Sequence, residues 1–184
     1  MALANYAASG LGEKTAYLEL YGHGEIAHWK EKDEKGYFID QKIHYYPEVR
    51  REETAILLNR GYEKIIMDFG DAYTNFREEI LRCDQKVFLL NLNPWQKFAA
   101  EKMIEDVQQK NWGDIQPLYV SVNAQRKIRE EVERKHKIQV MDIFSMPDPR
   151  CIREEDFSFM DVIFGSPAAK QKRRKSLLPI RKKL

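Results

Sequence analysis

Carboxylate and amide side chains stand where apolar segments of the sequence end. Asp68 and Gly70 follow the apolar run that begins at Lys64. Ligands of open α/β sheets bind outside the carboxyl ends of the strands. A carboxylate in such a place can orient water on a magnesium ion, and a glycine lets backbone approach a phosphate. The alternative is an Asp that only caps a loop.

Three further segment ends carry polar groups of the same kind. Glu19 is followed by Tyr21 and a Gly-His-Gly run, and Asn91 and Asn123 each follow an apolar segment. An Asn in this position caps the next helix as readily as it contacts a base. These residues are therefore candidates for a site, with turn chemistry as the alternative for each.

The elements that would position these residues alternate along the chain. Strands are predicted over residues 14–20, 64–69, 86–92 and 117–123, with a weaker one over 138–144. Helices are predicted over residues 49–60, 75–82, 95–110, 125–135 and 156–164. The last three of the four main strands are nearly continuous in apolar residues, which is typical of strands covered on both faces. The expected fold is α/β, with a mostly parallel sheet and helices on both faces.

Two regions need a separate description, the segment over residues 28–46 and the helix over residues 95–110. Residues 28–46 are charged and aromatic without a firm period, so a long excursion with one short strand at 37–40 is expected. The helix over 95–110 carries one apolar stripe that consists of Trp95, Phe98, Ala99, Met103, Ile104 and Val107. Trp95 is interpreted as a core or a surface aromatic residue.

Composition limits the class of protein. The 184 residues are 43% apolar and 33% charged, which suits one ordered domain. No apolar run approaches the roughly 20 residues of a membrane span, and residues 1–10 do not resemble a signal peptide. The two cysteines, Cys83 and Cys151, fit a reducing compartment, so a cytoplasmic location is expected.

The net charge of +2 hides a strong asymmetry. Residues 167–184 carry eight basic residues and no acids, whereas the other 166 residues carry 23 basic and 29 acidic ones. We expect a domain over 1–166 and a basic tail over 167–184. Residues 168–184 could contact an anionic membrane or nucleic acid, and a solvated tail is the alternative.

Other chemistries have less support. The four histidines lack metal-ligand spacing, which argues against zinc. Cys83 precedes an apolar strand and is read as a small buried residue and not as a nucleophile.

Taken in order, these segments resemble the MinD/ParA family of dimeric P-loop ATPases, including divergent members linked to pilus assembly. Residues 2–8 look like the helix that follows the family's phosphate loop, and residues 14–20 look like its second strand. Residues 65–70 look like the Walker B strand, and residues 118–123 are similar to the strand whose terminal Asn meets adenine. Residues 144–147 are similar to the Pro-containing segment beside the base.

The resemblance implies a P-loop NTPase-like fold with ATP and Mg²⁺ as cofactors. It implies nucleotide-binding roles for Glu19, Asp68, Gly70, Asn123 and Pro147, with Asp68 holding magnesium through water. It also implies a homodimer.

The chain departs from the family in two places. No Gly-x-x-x-x-Gly-Lys-Ser/Thr run or variant occurs, although backbone amides and a lysine hold the phosphates in such sites. Tyr21 stands where the family has a second acid, and Tyr is a poor general base near neutral pH. No catalytic residue is therefore assigned. An N-terminally shortened product is expected, with its first strand missing and a gap in the sheet beside residues 65–67.

The functional expectation follows from both the resemblance and the departures. The leading hypothesis is a divergent MinD/ParA-like domain that acts as a localisation or assembly factor and binds ATP weakly or not at all. The alternatives are a non-catalytic scaffold for an unidentified protein partner and a basic-tailed binder of membranes or nucleic acids. Peripheral membrane attachment is the corresponding alternative to a purely cytoplasmic location.

Overall fold

The computed structural model describes residues 1–21, 25–30, 33–110, 112–113, 115–143, 145–146 and 148–165. Within these ranges the strands are β1 (Thr15–Glu19), β2 (Phe38–Asp40), β3 (Ile43–Tyr46), β4 (Lys64–Asp68), β5 (Val87–Leu90), β6 (Leu118–Val122) and β7 (Val140–Ile143). The helices are α1 (Ala2–Asn5), which continues as a π-helical turn over Tyr6–Gly10, α2 (Arg51–Leu58), α3 (Arg77–Leu81), α4 (Lys97–Gln109), α5 (Arg126–His136) and α6 (Phe157–Phe164).

The first sheet has the order β2-β3-β1-β4, and β1 pairs in parallel with both β3 and β4. All five residues of β1 are buried because helices cover both faces of the strand. Ala4 of α1 lies in one hydrophobic cluster with Tyr17. Leu57 of α2 lies in another cluster with Leu18, on the opposite face.

The second sheet has the order β5-β6-β7 and is parallel throughout. Phe88 and Tyr119 share a cluster with Ile104 and Val107 of α4 and with Val132 of α5. When strands alternate with helices along the chain, the strands pair in parallel and the helices pack on the sheet. The predicted α/β class, mostly parallel with flanking helices, is confirmed.

The two sheets end on β4 and β5. Among the described residues β4 pairs only with β1, and β5 pairs only with β6. Ile65, Ile66 and Met67 are half-buried, unlike the wholly buried β1. β4 and β5 therefore do not pair with each other, and the missing first strand beside residues 65–67 stays a prediction.

The excursion predicted over residues 28–46 contains more structure than expected, and the prediction missed β3. β2 and β3 form an antiparallel hairpin whose two turn residues, Gln41 and Lys42, have φ of 43° and 68°. Hairpin turns with two left-handed residues usually show Asn or Gly, so this turn lacks its sequence signal.

The first residues of the segment 95–110 are exposed, so Trp95 is a surface aromatic residue and not a core residue. α4 begins at Lys97, and the side chains of Trp95 and Phe98 are 96% and 79% exposed. Only Ala100, Ile104 and Val107 of α4 are buried. The helical period placed the stripe on one face, but the side chains at the start of that face are not buried.

Candidate functional site

The carboxyl ends of β1 and β4 bring two acidic residues side by side. Glu19 and Asp68 are partners in the parallel register of the two strands. Partners in a parallel pair point to the same face, so both carboxylates lie on the face that α1 covers. The sequence prediction that both residues lie at strand ends is confirmed by the strand bounds.

Both carboxylate oxygens of Asp68 accept hydrogen bonds from the chain itself. The Tyr17 hydroxyl donates to Oδ2, and the Gly70 backbone N–H donates to Oδ1 at 3.0 Å. Burial raises the pKa of Tyr17, and the charge of Asp68 raises it further. Tyr17 therefore stays protonated and remains a donor to this carboxylate. Sequence reasoning missed Tyr17, although its place two residues before Glu19 puts it on the same face of β1.

Glu19 is fully buried, and its Oε1 accepts the Ile26 backbone N–H at 3.3 Å. The Tyr21 hydroxyl donates to Glu25 Oε2 at 3.1 Å. Burial raises the pKa of Tyr21, as do its hydrogen bonds to Glu19 and Glu25. Tyr21 is thus a proton donor to neighbouring carboxylates and is unsuited to act as a base.

Gly70 lies under the Tyr21 ring. A Cβ on Gly70 would come within 2.7 Å of Tyr21 Cγ, and the residue has φ of +50°. The aromatic ring therefore occupies the space directly beside the glycine that the sequence assigned to phosphate approach.

We expect Gly70→Ala to lower the free energy of unfolding by about 2–4 kcal/mol, through the left-handed backbone and the contact with Tyr21. Chemical denaturation measures the loss. Gly61→Ala is the matched control, because Gly61 has φ of +70° and nothing within 4 Å of its Cβ. That control should lose only about 1–2 kcal/mol. Equal losses in the two variants would contradict the proposed contact with Tyr21.

Asn123 lies at the end of β6 in the second sheet and has φ of +51°. Its Oδ1 accepts the Ser145 N–H at 3.3 Å, and its own N–H donates to the Ile143 carbonyl at 2.9 Å. Asn123 thus joins the strand ends of the second sheet, whereas Asp68 belongs to the first. Because parallel strands present their carboxyl ends on one side, the sequence predicts that Asp68 and Asn123 lie near each other, and this stays a prediction. Pro147 lies outside the described residues.

A polar cluster that sequence reasoning missed occupies the same end of the second sheet. Asp142 Oδ1 accepts the Ser121 hydroxyl at 2.7 Å and the Ala124 N–H at 2.9 Å. Arg129 Nη1 lies 3.8 Å from Asp142 Oδ2. These bonds join β6, β7 and α5, so we interpret the cluster as structural.

A groove beside α2 lies outside these clusters of site candidates. It measures about 620 Å³ and is lined mainly by the end of β3 and by α2, including Tyr46, Arg50, Ile56 and Arg60. None of the predicted site residues lines it.

The remaining candidates also have structural roles. Among the described residues no group of three or more His, Cys, Asp and Glu side chains could hold a metal. His44 Nδ1 lies 2.8 Å from the Tyr62 hydroxyl, and burial lowers the pKa of His44. Burial raises the pKa of Cys83 to about 11, so its thiol is a weak nucleophile at neutral pH.

No helix in the described part of the chain is long and apolar enough to cross a membrane.

The residues at the first sheet's carboxyl edge fit Mg²⁺ and ATP poorly. Both oxygens of Asp68 already accept hydrogen bonds, and the Tyr21 ring fills the space at Gly70. The sequence also has no glycine-rich run with a lysine to hold phosphates.

Comparison with known proteins identifies the fold. No protein-family model matches the chain, and no curated protein matches it. Among solved structures, the MinD cell division protein of Aquifex aeolicus matches with a TM-score of 0.52 and 14% identity, over 99% of this chain and 92% of that one. A MinC:MinD cell division protein complex of Aquifex aeolicus matches with a TM-score of 0.48 and 13% identity, over 100% of this chain and 92% of that one. The first of these two matches, with a TM-score of 0.52, shows that the fold is MinD-like.

Proposed function

We propose that this chain is a MinD/ParA-like localisation or assembly factor that binds ATP weakly or not at all through residues 1–184. The proposal is carried by the hydrogen bonding of Asp68. Its carboxylate accepts hydrogen bonds from the Tyr17 hydroxyl and from the Gly70 backbone N–H. A magnesium-bound water would have to compete with both donors.

The neighbouring residues support the same conclusion. Tyr21 donates to a carboxylate and packs over Gly70, so it neither accepts a proton nor leaves room for a phosphate. Displacing the ring would expose apolar surface and break its hydrogen bond. The energy for that change would have to come from nucleotide contacts that the sequence lacks.

Two exposed aromatic residues favour the related possibility of a non-catalytic scaffold. Trp95 and Phe98 stand three residues apart around the start of α4 and are almost fully exposed. Large aromatic side chains are enriched in the centres of protein interfaces. A scaffold that binds protein through this surface would need no nucleotide.

Titration calorimetry with Mg-ATP tests the proposal. We expect a dissociation constant above about 100 μM, which corresponds to a binding free energy weaker than about −5.5 kcal/mol. ATP is a polyanion, so the chain without residues 168–184 is measured as well to remove attraction by the basic residues. Weak heat that disappears with this deletion leaves the proposal intact.

Asp68→Asn provides the matched control at the site itself. Micromolar binding that requires Mg²⁺, survives the deletion and disappears in Asp68→Asn would overturn the proposal. Such a result would assign Asp68 the magnesium role that the family resemblance implies.

A further inference from the structure

Three cationic side chains line the groove beside α2. Lys35 lies in the turn before β2, Arg50 immediately precedes α2, and Arg60 follows it by two residues. All three are exposed, and within the described ranges none of them forms a salt bridge. Residues 1–166 carry 23 basic and 29 acidic residues, so this groove is positive on a chain segment that is negative as a whole.

An aromatic side chain of the groove holds Arg60 in position. The guanidinium carbon lies 5.8 Å from the centroid of the Tyr46 ring, and Nη1 donates to the Tyr46 hydroxyl at 3.3 Å. Tyr46 is buried, and its hydroxyl lies 2.6 Å from the hydroxyl of Tyr62. A guanidinium that stacks on a fixed ring keeps its other N–H donors available for a carboxylate and loses little freedom when it binds one.

The arrangement along α2 favours an extended ligand. Positions 50 and 60 are about 15 Å apart, because most of the intervening residues are helical and each advances the chain by about 1.5 Å. Ile56 lies between them in the lining of the groove, and its side chain is 61% exposed. A ligand that contacts both arginines therefore needs an anionic group at each end and an apolar group between them.

We propose that this groove binds an acidic, extended segment of a partner protein, with carboxylates at Arg50 and Arg60 and an apolar side chain against Ile56. An extended chain advances about 3.3 Å per residue, so two acids four residues apart span about 13 Å and match the spacing of the two arginines. Lys35 adds a third positive charge to the same groove.

A nucleic-acid strand fits the groove less well than such a peptide. Each strand carries a phosphate about every 3.4 Å, so its charge is continuous. The groove lining also contains Glu48 and Glu53, which would repel such a strand. Binding here is independent of the ATP-binding proposal, because neither Asp68 nor Gly70 lines the groove.

Nuclear magnetic resonance titration of the full chain tests the proposal. The probe is a capped peptide of sequence Glu-Ser-Leu-Ser-Glu. We expect amide shift changes at Arg50, Ile56 and Arg60 with a dissociation constant below about 1 mM. The absence of shifts at these residues with about 5 mM peptide would overturn the proposal.

Two further sets of titrations identify the chemistry of the ligand. The peptide Gln-Ser-Leu-Ser-Gln keeps the length and the apolar residue but has no charge, so it should bind about tenfold more weakly. Equal binding of the two peptides would overturn the proposal. Inorganic phosphate or a short DNA duplex that binds these residues more tightly than the acidic peptide would also overturn it. So would shifts at the same residues that depend on protein concentration alone, since they would identify a second copy as the occupant.

A matched pair of variants locates the binding. Arg50→Gln removes a charge from the groove, and Arg82→Gln removes one from an exposed arginine at the end of α3 that likewise forms no salt bridge among the described residues. We expect Arg50→Gln to weaken binding of the acidic peptide about threefold to fivefold and Arg82→Gln to leave it unchanged. Equal effects would overturn the proposal, because the peptide would then respond only to net charge.

Lys35→Gln makes the comparison independent of the stability of α2. Lys35 is exposed in a turn outside the helices and strands, so its replacement should leave the folded structure intact. We expect this variant to weaken binding of the acidic peptide about threefold. Unchanged binding in both Lys35→Gln and Arg50→Gln would show that the peptide does not occupy the groove.

Discussion

Deletion of residues 168–184 is expected to weaken binding of the chain to anionic lipid vesicles at least about 100-fold at low salt. Eight positive charges lie in this stretch without any acid, beside a remainder with a net charge of −6. Each basic residue near an anionic surface contributes about 1 kcal/mol, so even a fraction of the eight accounts for the loss. These residues lie outside the described part of the chain. Vesicle sedimentation across a salt series measures the effect.

A full-length variant with all eight basic residues changed to Gln is the control for chain length. It should bind as weakly as the deletion, and rising salt should reduce binding of the unaltered chain toward the same level. Duplex DNA in the same salt series shows which anionic surface the segment prefers. Equal vesicle binding by the unaltered and deleted chains at low salt would contradict the prediction.

The second large effect is a loss of folded stability between pH 10 and pH 12. Burial raises the pKa of Tyr45 to about 12, and it raises the pKa values of Tyr6 and Tyr73 to about 12 as well. Below pH 10 these groups are protonated in both states. Above pH 10 the unfolded chain loses protons that the folded chain retains, so the free energy of unfolding falls as the pH rises. For the fully buried Tyr45 alone the loss is about 2–3 kcal/mol by pH 12.

Chemical denaturation at fixed pH values between about 9 and 12, a range that includes the ordinary tyrosine pKa, measures the free energy of unfolding directly. Tyr45→Phe keeps the ring but removes the ionisable group. By pH 12 the variant should therefore have lost about 2–3 kcal/mol less of its free energy of unfolding than the unaltered chain. This difference isolates Tyr45 from lysines that titrate over the same range. If the two chains lose stability in parallel, the assigned pKa of Tyr45 is wrong.

The four main strands could be predicted because each carries a short apolar run, although only β1 among them is buried along its whole length. β1, β4, β5 and β6 each fall within the ranges predicted for them. A strand covered on both sides needs apolar residues at nearly every position, and that requirement is local and visible in the sequence. The α/β class followed from their alternation with helices.

Elements whose burial depends on distant residues could not be predicted in the same way. β3 is held by parallel pairing with β1, a contact between segments far apart in the chain. Trp95 and Phe98 fit the apolar stripe of their helix but are exposed. A helical period reports which residues share a face, and only packing decides how much of that face is buried.

The sequence by itself determined that Glu19 and Asp68 stand at strand ends and that residues 1–184 contain no Gly-x-x-x-x-Gly-Lys-Ser/Thr run. Only the tertiary structure decided that Tyr17 and Gly70 hold Asp68, that Tyr21 covers Gly70, and that β4 and β5 remain unpaired with each other. Residue type and order along a strand are local properties. Hydrogen-bond partners and strand neighbours depend on which chain segments pack together, and that is a property of the whole fold.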